Sequence, residues 1–145
     1  MAAFKYHVGL QNVGSYQVSG RPWASGSINC RANALGIAQL DFPNVTSFVV
    51  ISNLDSADNN LRVGFSSGGV AGLTGPALEN RYLELPPTTG SGPVRLELKV
   101  TQLFLSGSDN CSVIAGLTGI PPNTINEVKA NSPSGSNWSG SSGIG

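Results

Sequence analysis

Frequent turn-forming residues divide the chain into segments that are too short for regular helices. The sequence contains 19 Gly and 9 Pro among 145 residues, and clusters of Gly, Pro, Ser, Asn and Asp recur between its apolar segments. Almost no segment keeps a helical hydrophobic period over several turns. Parallel strands need helical crossovers of a dozen or more residues. The pattern therefore predicts an all-β protein with antiparallel strands.

The apolar and β-branched segments between these clusters predict eight strands. The predicted strands are residues 16–19, 23–28, 37–41, 45–53, 60–66, 80–85, 94–105 and 112–117. A chain of many short strands buries two apolar faces against each other or closes on itself. The fold expected from the residues is a sandwich, a jelly roll or a barrel, and composition alone does not choose among them.

Two of these segments predict different environments. Between residues 94 and 100, apolar residues alternate with Arg95, Glu97 and Lys99, which indicates a strand with one face in the core and one in solvent. Residues 48–51 are continuously apolar. Such a run favours a central strand that is covered on both sides, by sheet or by a neighbouring subunit. We expect this strand to anchor the core.

The length predicts one domain over residues 1–130, with a short N-terminal lead-in and a Ser/Gly-rich tail at 131–145. The tail carries Trp138, a residue type that flexible linkers seldom contain. It is either disordered in the isolated chain or an arm that docks on this or a neighbouring subunit, with Trp138 as an assembly contact. Trp23 lies within a predicted strand, and we expect it in the core.

Charge is scarce in this chain. Charged residues make up 11% of it, with eight basic and eight acidic side chains and a net charge of zero, whereas about 25% is usual. Low net charge favours self-association. The sequence has no Lys/Arg cluster for nucleic acid, no apolar run of roughly 18 residues for a membrane helix and no signal-peptide pattern. We expect synthesis in the cytoplasm and no direct contact with nucleic acid or membrane.

The sequence offers no convincing catalytic or metal site. His7 is the only histidine, and it lies in a terminal segment without a nucleophile motif. Two Cys and one His are too few for structural zinc. Asp55, Asp58, Asn59 and Asn60 offer oxygens for calcium, but turn capping explains the same residues more simply. We therefore predict a protein that is not an enzyme and binds no cofactor or metal.

Several phrases carry a family resemblance that covers nearly the whole chain. They are YQVSGRPWASGSI at 16–28, FPNVTSFVVISN at 42–53, NLRVGFSSGGV at 60–70, VRLELKVTQLFLSG at 94–107, CSVIAGLTGI at 111–120 and NWSGSSGIG at 137–145. Together they resemble the penton proteins of large icosahedral nucleocytoplasmic DNA viruses, and the length and lead-in look closest to the chlorella-virus type. None of the phrases is a catalytic signature.

The resemblance implies a single eight-stranded antiparallel jelly roll, a form of β-sandwich. In that family five copies occupy each fivefold vertex of the capsid, surrounded by capsomers of the major capsid protein and by minor capsid proteins. The expected function is therefore structural, as a homopentamer in the virion. Such a ring needs two complementary, weakly charged flanks on each subunit. Jelly rolls also serve as lectin domains, so a glycan-binding β-sandwich is the alternative.

The two cysteines lie beside predicted strands. Cys30 follows the second predicted strand and Cys111 precedes the last one. In a jelly roll the first long strand and the last are antiparallel neighbours, so the thiols approach each other if these are those strands. A disulfide closing a loop of about 80 residues contributes ~4.5 kcal/mol on the chain-entropy model. The alternative is two reduced, buried thiols in a particle assembled in the cytoplasm. Both interpretations stay open.

Overall fold

The computed structural model describes residues 20–33, 35–71, 81–87 and 92–122. Within these ranges the chain forms eight strands and one short helix. They are β1 (Arg21–Ile28), β2 (Ile37–Asp41), β3 (Thr46–Asn53), β4 (Leu61–Gly64), α1 (Ser67–Ala71), β5 (Tyr82–Leu85), β6 (Val94–Leu96), β7 (Gln102–Ser106) and β8 (Cys111–Leu117). The prediction of an all-β protein is confirmed.

The strands form two four-stranded sheets in which every pair is antiparallel. The first sheet has the order β1-β8-β3-β6 and the second has the order β2-β7-β4-β5. Within the first sheet, β1 pairs with β8, β8 with β3, and β3 with β6. Within the second sheet, β2 pairs with β7, β7 with β4, and β4 with β5. Strands that are distant in sequence therefore lie side by side.

The core lies between the inner faces of the two sheets, which makes the fold a β-sandwich. Fully buried side chains come from both layers and belong to one apolar cluster: Val49, Ile51 and Val113 from the first sheet, and Leu61, Leu103 and Leu105 from the second. Neither sheet buries these residues alone, because the inner face of each sheet is covered by the inner face of the other.

The prediction of a single strand over residues 94–105 is wrong. The chain pairs with β3 as β6, leaves the first sheet after Leu96, and pairs with β2 and β4 in the second sheet as β7. Thr46 holds this crossing. Its hydroxyl donates to the Leu98 carbonyl at 2.6 Å and accepts from the Val100 amide at 3.1 Å. The apolar alternation continues through the crossing, so sequence periodicity does not reveal it.

The segment that begins with β4 also differs from the prediction. The strand predicted at 60–66 ends at Gly64, and α1 begins at Ser67 where we expected a turn. Ser66 caps this helix, because its hydroxyl accepts a hydrogen bond from the Gly69 amide at 3.0 Å. The strand predicted at 16–19, the domain boundary at residue 130 and the tail at 131–145 lie outside the described residues.

The predicted core anchors occupy the expected places. β3 is central in the first sheet, between β8 and β6, with Val49 and Ile51 fully buried. Trp23 packs against the core cluster and meets the ring of Phe42 edge to face, with a centroid distance of 4.8 Å. The prediction that Trp23 lies in the core is confirmed.

Candidate assembly surface

The outer face of the first sheet carries an exposed row of apolar side chains. Antiparallel register places Ala24 opposite Ile114, Ile114 opposite Val50, and Val50 opposite Arg95. Residues paired in this way project from the same side of a sheet. Ile114 is 53% exposed although it lies on the second strand from the edge. An isoleucine of this exposure in the middle of a sheet has no core to pack against.

A second row runs parallel to the first. Pro22 and Phe48 are both opposite Gly116. Because the glycine has no side chain, the surface has a shallow depression between the proline and the aromatic ring. The Arg95 guanidinium lies 4.1 Å from the centroid of the Phe48 ring, and its Nε donates to Glu97 at 2.8 Å. These two charges neutralise each other at the β6 edge. We call the surface formed by Pro22, Ala24, Phe48, Val50 and Ile114 the apolar face.

The outer face of the second sheet has the opposite character. It presents Gln39, Asp41, Arg62 and Glu84, with a Gln39–Asp41 hydrogen bond of 2.9 Å and an Arg62–Glu84 ion pair of 3.7 Å. The helix α1 contacts β2, β4 and β7 on this sheet. Phe104, which is paired with Gln39, is only 5% exposed. The large aromatic side chain of this face is therefore covered, whereas within the described ranges no comparable element covers the apolar face.

The sequence signalled this surface in part. Residues 48–51 were expected to be covered on both sides, and the inner side of that strand is covered by the core as predicted. Its outer residues, Phe48 and Val50, are only half-buried. The other members of the apolar face were missed, because an isolated Ala24 or Ile114 is unremarkable until register brings them into one row.

A polar cluster joins the loops at one end of the sandwich. Asn53, at the end of β3, is buried and uses both ends of its amide group. Its Nδ2 donates to the carbonyls of Asn59 at 2.9 Å and Leu85 at 3.1 Å. Its Oδ1 accepts from the Asp55 amide at 3.2 Å and the Ser108 hydroxyl at 2.9 Å. One side chain thus ties together the β3–β4 loop, the end of β5 and the β7–β8 loop.

The Asp55 carboxylate is the charged member of this cluster. It accepts hydrogen bonds from the backbone amides of Asp109 and Ala57, both at 2.7 Å, and from the Asn59 side chain at 3.3 Å. The bond from Asp109, followed by those from Ala57 and Asn59, lowers the pKa of Asp55 to about 2 against the opposing effect of burial. The carboxylate therefore remains ionised in the folded protein.

These contacts support the turn-capping interpretation of Asp55 over the calcium interpretation. Its oxygens face N–H donors, which compete with a cation for the same lone pairs. Asp58 in the same loop has a positive φ of 60°, a conformation that Asp tolerates in turns. Within the described ranges, no group of three or more His, Cys, Asp and Glu side chains is arranged to hold a metal ion.

The two cysteines lie together where β1 ends and β8 begins. Cys111 is opposite Ile28 in the register of these strands, and the Cys30 amide donates to the Ser108 carbonyl at 3.0 Å. Both side chains are fully buried, and both are free thiols. The expectation that they lie beside neighbouring antiparallel strands is confirmed. Their disulfide remains a prediction.

The other sequence-predicted residues fall outside the described part of the chain. These residues are His7 and Trp138, which the structure does not describe. The expectations for both stay predictions. Among the residues that the structure describes, no helix is long and apolar enough to cross a membrane.

Comparison of the chain with known protein families, curated proteins and solved structures found no match.

Proposed function

We propose that this chain is a structural protein of a viral capsid. In this proposal it is a single eight-stranded jelly roll that forms a homopentamer at the fivefold vertices of a large icosahedral DNA virus. It contacts neighbouring major capsid protein capsomers and minor capsid proteins, and it contacts neither nucleic acid nor membrane. It is made in the host cytoplasm and resides in the virion, and its role is geometric, without catalysis or a cofactor.

The pairing of the strands supports the jelly-roll assignment. Each strand of the first half of the chain pairs with its counterpart in the second half, with β4 and β5 as the innermost pair and β1 and β8 as the outermost. This is the pairing of one long antiparallel ribbon, folded between β4 and β5 and rolled into two layers. Rolled ribbons of eight strands recur in viral capsid and lectin domains.

The apolar face is the observation that carries the assembly proposal. It presents Phe48, Val50 and a 53% exposed Ile114 on a central part of a sheet. Contiguous apolar surface of this kind marks interaction sites in soluble proteins. Covering it with protein removes apolar area from water, which stabilises the complex by about 25 cal/mol per Å² before the costs of association.

A second copy of this chain is the occupant that we favour. The chain has a net charge of zero, so its copies do not repel one another as charged molecules do. Because the two outer faces differ in chemistry, one copy offers a neighbour two distinct flanks. A ring requires such heterologous contacts, in which a surface of one copy meets a different surface of the next.

The test places a charge on the apolar face. Ile114→Lys adds a cation at a position that is already half exposed, so it leaves the core intact. Ser56→Lys is the matched control, since it adds the same charge at an exposed position of the β3–β4 loop, on neither outer face. We expect wild-type protein and Ser56→Lys to form pentamers in native mass spectrometry across concentration, and Ile114→Lys to remain monomeric with an unchanged circular dichroism spectrum.

Three outcomes would contradict the proposal. They are a wild-type monomer at all concentrations, a dimer that never reaches five copies, and a pentamer that tolerates Ile114→Lys. A wild-type monomer that binds saturably to a glycan array would favour the lectin alternative instead.

Trp138 provides a separate test of the tail. If the tail is an arm that docks on a neighbouring subunit, Trp138→Ala weakens pentamer formation or vertex incorporation, because a buried Trp is a common anchor of interfaces. Unchanged pentamers and unchanged incorporation would remove Trp138 from the interface and leave the apolar face as the proposed contact.

A further inference from the structure

We propose that Cys30 and Cys111 form an intramolecular disulfide when the protein meets a small-molecule disulfide such as oxidised glutathione. Both side chains are fully buried in one core cluster, the Cys111 thiol donates to the Ile28 carbonyl at 3.5 Å, and the two cysteines belong to chain segments that are held side by side on both flanks. On one flank Ile28 pairs with Cys111, and on the other the Cys30 amide donates to the Ser108 carbonyl at 3.0 Å. The bond therefore needs little movement of the backbone.

The surroundings of the pair shift the pKa values of the two thiols in opposite directions. The hydrogen bond from Cys111 lowers the pKa of Cys30 against the effect of burial, with help from backbone hydrogen bonds at Ser108 and Ala38. The same contact, together with burial, raises the pKa of Cys111. The thiolate is the reactive form of cysteine. Cys30 is therefore the sulfur that attacks first.

A short loop controls access to Cys30. The residues that follow it, Arg31, Ala32 and Asn33, are exposed. Arg31 holds this loop against the β7–β8 loop, because its Nε donates to the Gly107 carbonyl at 3.2 Å and lies 3.6 Å from an Asp109 carboxylate oxygen. Both contacts are at the surface, where such interactions are weak. Opening this loop exposes the sulfur while the strands remain paired.

The reaction is a pair of thiol–disulfide exchanges. The Cys30 thiolate attacks one sulfur of oxidised glutathione, the glutathione S–S bond breaks, and the released thiolate takes up the proton that Cys30 lost. Cys111 then loses its proton and attacks the Cys30 sulfur of the mixed disulfide, and a second glutathione leaves with that proton. Two protein thiols are oxidised, and one glutathione disulfide is reduced to two thiols. Once Cys30 carries glutathione, it no longer raises the pKa of Cys111 as a neighbouring thiolate.

The experiment treats the full-length protein with oxidised glutathione and then blocks free thiols under denaturing conditions. We expect an intact mass that is lower by two hydrogen atoms, no alkylated cysteine, and a single linked peptide that contains Cys30 and Cys111. The oxidised protein should melt several degrees higher than the reduced protein, because the crosslink restricts the unfolded chain. Arg31→Ala should reach the same end point several-fold faster, while Arg62→Ala, which removes a surface arginine from the second sheet, should not change the rate.

The single variants test the order of the two steps. Cys111→Ser should accumulate glutathione on Cys30 faster than Cys30→Ser accumulates it on Cys111. Because slow access could hide the reaction in the native protein, the urea-unfolded chain is also refolded in a glutathione redox buffer. Two free thiols after both treatments, or disulfides between chains only, would overturn the proposal.

Discussion

Asp55 shows how a single buried charge organises one end of this sandwich. Its carboxylate is stabilised by backbone amides of two loops, those of Ala57 and Asp109. Hydrogen bonds to an ionised acceptor are stronger than those between neutral groups. Ionised Asp55 therefore strengthens the contact between the two loops, which Asn53 also joins through Ser108.

This arrangement predicts a pH dependence of stability. The pKa of Asp55 is lowered from 3.8 to about 2 on folding, so the unfolded chain binds the proton more tightly than the folded one. The contribution of ionised Asp55 to the free energy of unfolding is complete above pH 3.8 and is lost as the pH falls through about 2. Asp55→Asn should lower the melting temperature by several degrees at neutral pH, and its difference from wild type should shrink over this acid range.

The control for this prediction is Asp58→Asn, which removes the same charge from an exposed position in the same loop. Melting curves recorded across the acid range would reveal the difference. A constant gap between Asp55→Asn and wild type from neutral pH to pH 2 would show that ionisation of Asp55 is not the cause.

At the scale of elements, a glycine decides where α1 lies. A Cβ on Gly64 would overlap Cγ2 of Val70 in α1, and it would also come within 3.1 Å of the Arg81 carbonyl oxygen. The missing side chain lets the helix approach β4 closely. This contact helps to explain why the second sheet has a covered outer face while the first has an open one.

We predict that Gly64→Ala lowers the free energy of unfolding by about 1–3 kcal/mol, the usual cost of overpacking. Urea unfolding would measure it. Gly26→Ala is the control, because a Cβ there meets only the Ser112 hydroxyl oxygen at an ordinary 3.7 Å. In the double variant Gly64→Ala with Val70→Ala, the clash with Val70 is removed, so the combined loss should be smaller than the sum of the single losses. Additive losses would mean that the helix does not press on β4.

The strand predictions succeeded and failed for one physical reason. Alternation and continuous apolar runs are local patterns, so alternation identified the segment from Val94 to Val100 and a continuous run identified β3 from sequence alone. It does not show which neighbour a strand pairs with. The chain crosses between sheets after Leu96 without any break in its alternation, and the hydrogen bonds of Thr46 that hold the crossing come from a residue distant in sequence.

At the scale of the whole molecule, the contrast between the two outer faces governs how copies are expected to meet. The polar groups of the second sheet satisfy one another, as in the Arg62–Glu84 pair, and α1 covers part of that sheet. Among the described residues nothing covers the apolar face to the same extent, and the charged pair Arg95 and Glu97 lies at its edge. Association through this face should depend on apolar area more than on charge.

This difference predicts how association responds to salt. Charge–charge contacts at a surface weaken as the screening length falls from about 10 Å at 0.1 M to about 3 Å at 1 M salt, whereas apolar burial does not. We expect the association constant to be unchanged or higher when sodium chloride is raised over this range. Sedimentation velocity would measure it. Dissociation at high salt would assign the contact to charged residues and not to the apolar face.

The sequence by itself determined the class of structure, because its apolar segments between turn clusters have the length of strands and are too short for regular helices. It also determined the anchors of the core, including Trp23 and the central strand β3, because local alternation and continuous apolar runs depend only on neighbouring residues. Tertiary structure alone decided the crossing after Leu96 and the gathering of Ala24, Val50 and Ile114 into one face. Each of these depends on register between strands that are far apart in the chain, and no local pattern encodes that register.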